Sequence, residues 1–123
     1  MKIQELMIGD WISFNYSPQQ VTYLNLDDER VATTDEYYAQ PIECFEPVSI
    51  TPEILEKNEF EQLKIITDSY LYKTKLEKVI WSEKGNITIR SAKCDSTFKG
   101  ICNYVHQLQN LLKVCGIEKR IEV

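Results

Sequence analysis

Hydrophobic residues between positions 101 and 115 recur at alternating steps of four and three: Ile101, Val105, Leu108, Leu112 and Cys115. Tyr104 and Leu111 widen this stripe, and the opposite face carries Cys102, Asn103, His106, Gln109, Asn110 and Lys113. One apolar face at a period near 3.6 predicts an amphipathic helix that covers a sheet or another helix. Asp95, Ser96 or Thr97 can cap its start, and Gly116 closes it.

Residues 8–50 show a shorter period. Gly9-Asp10 is a turn signal leading into a strand at Trp11-Ile12-Ser13-Phe14. Ser17-Pro18 is expected to break the chain before a strand over 21–26, Asp27-Asp28 to turn it, and Arg30-Val31-Ala32-Thr33 to run back. A further strand is expected at Ile42-Glu43-Cys44-Phe45 before Pro47. Short, closely spaced strands of β-branched and aromatic residues suggest a small bent sheet or SH3-like barrel.

Residues 51–58 predict a two-turn helix. Thr51 can cap it, Pro52 suits the first helical position, Glu53 complements the dipole, and Asn58 is expected to stop it in a left-handed conformation. Ile54, Leu55 and Phe60 should anchor so short a helix. Strand patterns follow at 70–75, 78–81 and 86–90, and residues 63–67 read equally as strand or continued helix. Glu83-Lys84-Gly85-Asn86 is the strongest hairpin signal. Ile87 and Ile89 should face inward, with Thr88 and Arg90 outward. Residues 117–123 alternate on one face and suggest a final strand or edge.

Together these elements predict one α+β domain over residues 1–123. It comprises an N-terminal SH3-like β unit (1–50), a short linking helix, an antiparallel β-meander and a C-terminal helix packed on the sheet. There is no repeat, low-complexity stretch or linker.

Composition narrows the function classes. With 43% hydrophobic and 27% charged residues the chain is globular. No apolar run reaches the roughly 18–20 residues of a membrane span. The first residues lack a signal-peptide core, so a cytoplasmic location is the default expectation. In that compartment Cys44, Cys94, Cys102 and Cys115 read as reduced, mostly buried thiols. Residues 1–50 hold nine acids against two bases, whereas residues 51–123 hold twelve bases against ten acids. The acidic first half repels phosphate backbones. The second half can still present a basic face through Lys73, Lys75, Lys78, Lys84, Arg90 and Lys93.

His106 is the only histidine, with Cys102 one helical turn before it. The pair could hold zinc with Cys94 or Cys44, or act as thiolate and base. Neither reading finds a C-x-x-C pair, an orienting third group or an oxyanion hole, so no metal, cofactor or catalytic residue is assigned. The four glycines form no phosphate loop. Trp11 and Trp81 are expected in the core. Tyr37-Tyr38 lies among acids, and in a strand one of the two must point outward. Packing over a barrel rim is the simpler account, and an exposed partner surface the other. Asn103, Gln107 and Asn110 around His106 offer amides to neighbouring loops or to a partner.

Three segments occur in order: Glu5-Leu6-Met7-Ile8-Gly9-Asp10-Trp11-Ile12, Pro47-Val48-Ser49-Ile50-Thr51-Pro52-Glu53-Ile54-Leu55, and Tyr104-Val105-His106-Gln107-Leu108-Gln109-Asn110 with Gly116 and Glu118. In these the chain resembles a family of small proteins from Bacteroidetes genomes and their phages and prophages. In that family the middle helix usually ends in Gly-Phe, where Glu59-Phe60 stands here. The resemblance implies a lineage and a mobile-element setting, and no activity.

The expected function is therefore a non-enzymatic protein-interaction module of phage or mobile-element origin. Its candidate surface is Tyr37, Tyr38, Asn103, His106, Gln107 and Asn110. The alternative is a nucleic-acid-associated accessory protein acting through the strand lysines.

Overall fold

Turn chemistry sets the strand order. The computed structural model describes residues 1–92 and 97–123, and for Glu36 and Tyr37 the backbone alone. After a 3₁₀ turn at Ile3–Glu5, strand β1 (Trp11–Phe14) turns at Asn15 and Tyr16. Both take positive φ, 48° and 64°, as a two-residue hairpin with the strands' own twist requires. Strand β2 (Ser17–Asn25) therefore begins at once. Ser17 and Pro18, expected to break the chain, instead pair with Phe14 and Ser13. Proline is tolerated there because the start of a strand can spare an N–H.

The next turn, centred on Asp27-Asp28 as expected, is held by Asn25, whose Oδ1 accepts from Asp28 N at 3.1 Å. Strands β3 (Arg30–Thr33) and β4 (Glu36–Pro41) continue the meander, and β5 (Phe45–Pro47) returns to pair with β1. The strand expected at 42–45 is a correction. Ile42–Cys44 forms a 3₁₀ turn after Pro41, and pairing begins only at Phe45. The sheet order is β4-β3-β2-β1-β5. A meander whose fifth strand returns to the first is compatible with an SH3-like unit. Ile3, Leu6, Ile12, Val21, Val31, Ile42 and Phe45 form its core.

Helix α1 (Pro52–Lys57) follows the expected start chemistry: Thr51 Oγ1 accepts from Ile54 N at 3.2 Å, and Pro52 opens the helix. Its end differs. Asn58 has φ −102°, and the left-handed residue is Glu59, at φ 71°. Phe60 N donates to Leu55 O at 2.9 Å and Glu59 N to Glu56 O at 3.2 Å, the paired bonds of a Schellman stop. Asn58 is buried and works through its side chain instead. Its Nδ2 donates to Ile54 O and Glu122 O, and its Oδ1 accepts from Glu122 N, each at 2.7 Å.

A second antiparallel meander follows: β6 (Glu61–Gln62), β7 (Ser69–Lys73), β8 (Glu77–Ser82), β9 (Asn86–Ser91) and β10 (Phe98–Ile101), in the order β10-β9-β8-β7-β6. Residues 63–67 form neither strand nor helix. The expected β8–β9 hairpin is present, with Gly85 at φ 89°. Ile87 and Ile89 are buried and Arg90 is exposed, so the alternation is the expected one.

Helix α2 (Val105–Val114) starts four residues later than the sequence pattern suggests. Ile101 and its predecessors from Phe98 pair with β9, because Gly100 and the β-branched end of that segment suit an edge strand. Thr97 consequently precedes a strand and caps no helix; Asp95 and Ser96 lie outside the described residues. The start is instead closed by Gln107, whose Oε1 accepts from Tyr104 N at 3.2 Å, and by Val48 O, which accepts from Val105 N at 2.8 Å. Gly116, at φ 74°, ends the helix as expected. The tail 117–123 is not a strand. Ile117 and Ile121 are buried, and Asn58 supplies the hydrogen bonds that a neighbouring strand would have given.

The α+β class thus holds: two five-stranded antiparallel sheets and two helices. The chain forms two compact units, Met1–Ser49 with Tyr104–Asn110, and Ile50–Asn103 with Leu111–Val123. The first turns of α2 therefore belong with the N-terminal sheet. In the second unit Leu55, Phe60, Tyr70, Val79, Trp81, Ile87, Ile89, Leu112, Ile117 and Ile121 are buried. No helix among the described residues is long and apolar enough to cross a membrane.

A left-handed backbone costs a side chain about 1 kcal/mol, and Glu59 offsets this with one ion pair, from its exposed carboxylate to Lys119 at 3.1 Å. Glu59→Gly should therefore leave stability unchanged or raise it by up to about 1 kcal/mol. Glu59→Val should lower it by at least about 1 kcal/mol, both read from urea unfolding midpoints.

Candidate functional site

The polar face of α2 is the first candidate, and the fold has used most of it. Gln109 is 9% exposed; its Oε1 accepts from Trp11 N at 2.9 Å and its Nε2 donates to Gly9 O at 3.1 Å. Asn110 Nδ2 donates to Glu5 O at 2.9 Å and to Asp10 Oδ2 at 3.0 Å. Asp10 is fully buried, and its Oδ2 also accepts from Met7 N at 2.9 Å. The turn over residues 5–11 shares backbone bonds with Val21 of β2, Gly9 N to Val21 O at 2.8 Å and Val21 N to Asp10 O at 2.9 Å, and the helix supplies partners for groups these leave over. Asn110, expected on an interaction surface, is thus committed within its own unit.

His106 is also corrected. It is 1% exposed, so it belongs to no surface, and its ring stacks on Tyr104 with centroids 6.0 Å apart. Neither ring nitrogen has a hydrogen-bond partner among the described residues, and the nearest carboxylate oxygen of Glu5 lies 3.8 Å from Nε2. Burial lowers its pKa below 6.5, against the opposing pull of Asp10 and Glu5. Cys102 is not on the helix at all: it precedes it, fully buried, and its carbonyl accepts from Trp81 Nε1 at 2.7 Å. The one-turn Cys102–His106 spacing therefore does not exist. Among the described residues no group of three or more potential metal ligands is gathered. Cys115 is buried as expected, Cys44 is exposed, and Cys94 lies outside the described residues.

Gln107 and Asn103 are likewise in use. Gln107 closes the helix start, and the Asn103 side chain covers Gly85, where any side chain would collide with it. Trp81 is buried as expected, whereas Trp11 is only half-buried.

The remaining candidate is Tyr37-Tyr38. Both lie in β4; the side chain of Tyr37 is outside the described residues, and Tyr38 is 74% exposed. Tyr38 lines a groove of about 660 Å³ with Thr22, Tyr23, Ala32, Thr34 and Asp35. Tyr23, on β2, is 49% exposed. Simple alternation would turn Tyr23 inward with Val21, its neighbour two positions back. A bulge between Val21 and Tyr23 shifts the register, so Val21 stays opposite Thr33 and Tyr23 comes opposite Ala32. A second irregularity lies between Val31 and Thr33 on the β4 side. Bulges re-aim side chains in this way. The result is two tyrosines flanking a small residue on one face. The sequence reading missed Tyr23 and Ala32 because the bulge leaves no mark in the hydrophobic pattern. Charge is the one usable hint, since the segment around the groove is acidic.

Compared with family models, curated proteins and solved structures, the chain matches none of them.

Two predictions follow from the helix face. Gln109→Leu removes the acceptor of the Trp11 N–H and the donor to Gly9 O and should cost about 2–3 kcal/mol, measured by urea unfolding. For His106 the folded-state pKa lies below the unfolded value, so the unfolded chain takes up the proton first. Its neutral form favours folding above about pH 6.5, and that contribution is lost as pH falls below it. His106→Leu removes two unpaired buried nitrogens, so its stability at pH 7.5 should match or exceed the parent's. The gap should widen in the variant's favour at pH 5.5; a variant much weaker at both pH values would give the imidazole a role beyond filling space.

Proposed function

We propose that the protein is a non-enzymatic protein-interaction module. The observation that carries this reading is the Tyr23–Ala32–Tyr38 groove, an exposed aromatic slot created by a bulge at a cost to sheet regularity. Exposed tyrosines are characteristic of partner surfaces, since they supply rigid, amphipathic contact area. The groove carries Asp35, and residues 1–50 hold nine acids against two bases. Tyrosine faces attract cations, and the surrounding charge attracts them further. The partner that fits is an exposed segment rich in arginine or lysine. The resemblance to small Bacteroidetes phage proteins supports an accessory role in a mobile element, where capturing a host or phage protein needs no catalysis.

The test is selection of ligands from a random 12-residue peptide library displayed against the folded protein. Selected peptides should be enriched in arginine and lysine. Tyr38→Ala and Tyr23→Ala should each weaken their binding at least tenfold with the thermal midpoint unchanged, because both side chains are substantially exposed. Peptides without a basic bias, or binding indifferent to both tyrosines, would remove this reading.

A further inference from the structure

The second sheet carries a different surface. In the pairing register Lys73 of β7 stands opposite Lys78 of β8, and Lys78 stands opposite Arg90 of β9. The buried residues Val79, Trp81, Ile87 and Ile89 fix which face of the sheet points inward, so the three cations share the outward one. With neighbouring strands about 4.8 Å apart, they form a row roughly 10 Å long. All three are exposed, and none has an ion-pair partner among the described residues. Like charges directly opposite one another weaken a sheet. Among the described residues no ion pair offsets that repulsion.

The row is not a stretch of charge along one strand. The positions just before it on the same face are neutral: Leu71, Ile80 and Thr88. The three cations come from three strands and converge only through register. Lys75 and Thr97 join them around a shared groove. Glu77 is the only carboxylate among the described lining residues, and Thr74 Oγ1 donates to it at 3.3 Å.

We propose that Lys73, Lys78 and Arg90 bind the phosphate backbone of a nucleic acid. A row of cations at strand spacing complements a line of phosphates, and the release of condensed counterions drives such binding. This half of the chain is also net positive, with twelve bases against ten acids over residues 51–123. The contact is independent of base sequence. Tyr70 and Trp81 pack inward and Tyr72 packs at a tilt against Phe60, so no aromatic side chain on these strands offers bases a stacking platform. This surface is separate from the tyrosine groove, and either can fail without the other.

The experiment is fluorescence anisotropy of the full chain with fluorescein-labelled 20-nucleotide DNA, the matching RNA and a 20-base-pair duplex, between 25 and 300 mM NaCl. Micromolar binding at low salt is expected, with a log–log salt slope of about −2 to −3 for three or four neutralised phosphates. Base composition should matter little. The triple variant K73Q/K78Q/R90Q should bind at least tenfold more weakly and lose about 2 from the slope. Lys84→Gln, in the turn at the opposite end of β8 and β9, should stay within twofold of the parent. The triple variant should also melt no lower than the parent, since its repulsion is relieved. The proposal is overturned by no binding at 25 mM salt, by a triple variant that binds like the parent, or by binding confined to phosphatidylserine vesicles.

Discussion

Two carboxamides late in the chain complete a turn near its beginning. Gln109 and Asn110 reach back about a hundred positions to Glu5, Gly9, Asp10 and Trp11. The residues leading into β1 pair with Val21 of β2 on one side only, and the remaining N–H and C=O groups need partners from elsewhere. Side-chain amides can both donate and accept, so they meet that need where a leucine or lysine could not. Buried polar groups left unpaired cost more than the bonds themselves contribute, which makes this small set of contacts decisive for the N-terminal unit. It also explains why that unit takes in the start of α2 rather than closing on residues 1–49 alone.

The same principle recurs in the second unit with Asn58. One buried amide there ends α1 and holds the tail through both the N–H and the C=O of Glu122. In both places a polar side chain does the joining between segments remote in sequence, while aliphatic residues fill the space around it. His106 is the contrasting case. Its nitrogens are buried without hydrogen bonds among the described residues, and the ring fills volume and stacks on Tyr104.

Folding uses most of the helix's polar face, and the surfaces proposed for binding lie on the sheets. The two exposed surfaces are opposite in character: an aromatic groove in an acidic setting on the first, a cationic row on the second. Each is set by register, and each bears a cost that a purely structural sheet would avoid, a bulge in one case and like-charge repulsion in the other.

The α+β class, the capped start of α1, the 83–86 hairpin and the inward face of β9 were all legible in the sequence, because they rest on local chemistry: a cap, a turn glycine, a period of two. Where two periods compete locally, tertiary pairing decided. Phe98–Ile101 became a strand because β9 offered it an open edge, whereas residues 117–123 pair with no strand and are held by the side chain of Asn58. The polar word Tyr104 to Asn110 stood out in the sequence, but its meaning depended on a partner turn a hundred residues away. Tyr38 could be singled out from its setting; Tyr23 could not, since a one-residue register shift decides which face a side chain takes, and hydrogen-bond pairing between strands fixes that shift. The sequence by itself therefore determined the class and the elements that rest on a cap, a turn glycine or a period of two. Only the tertiary structure decided the segments where two periods compete, which polar residues were spent on folding and which were left exposed, because those depend on partners remote in sequence.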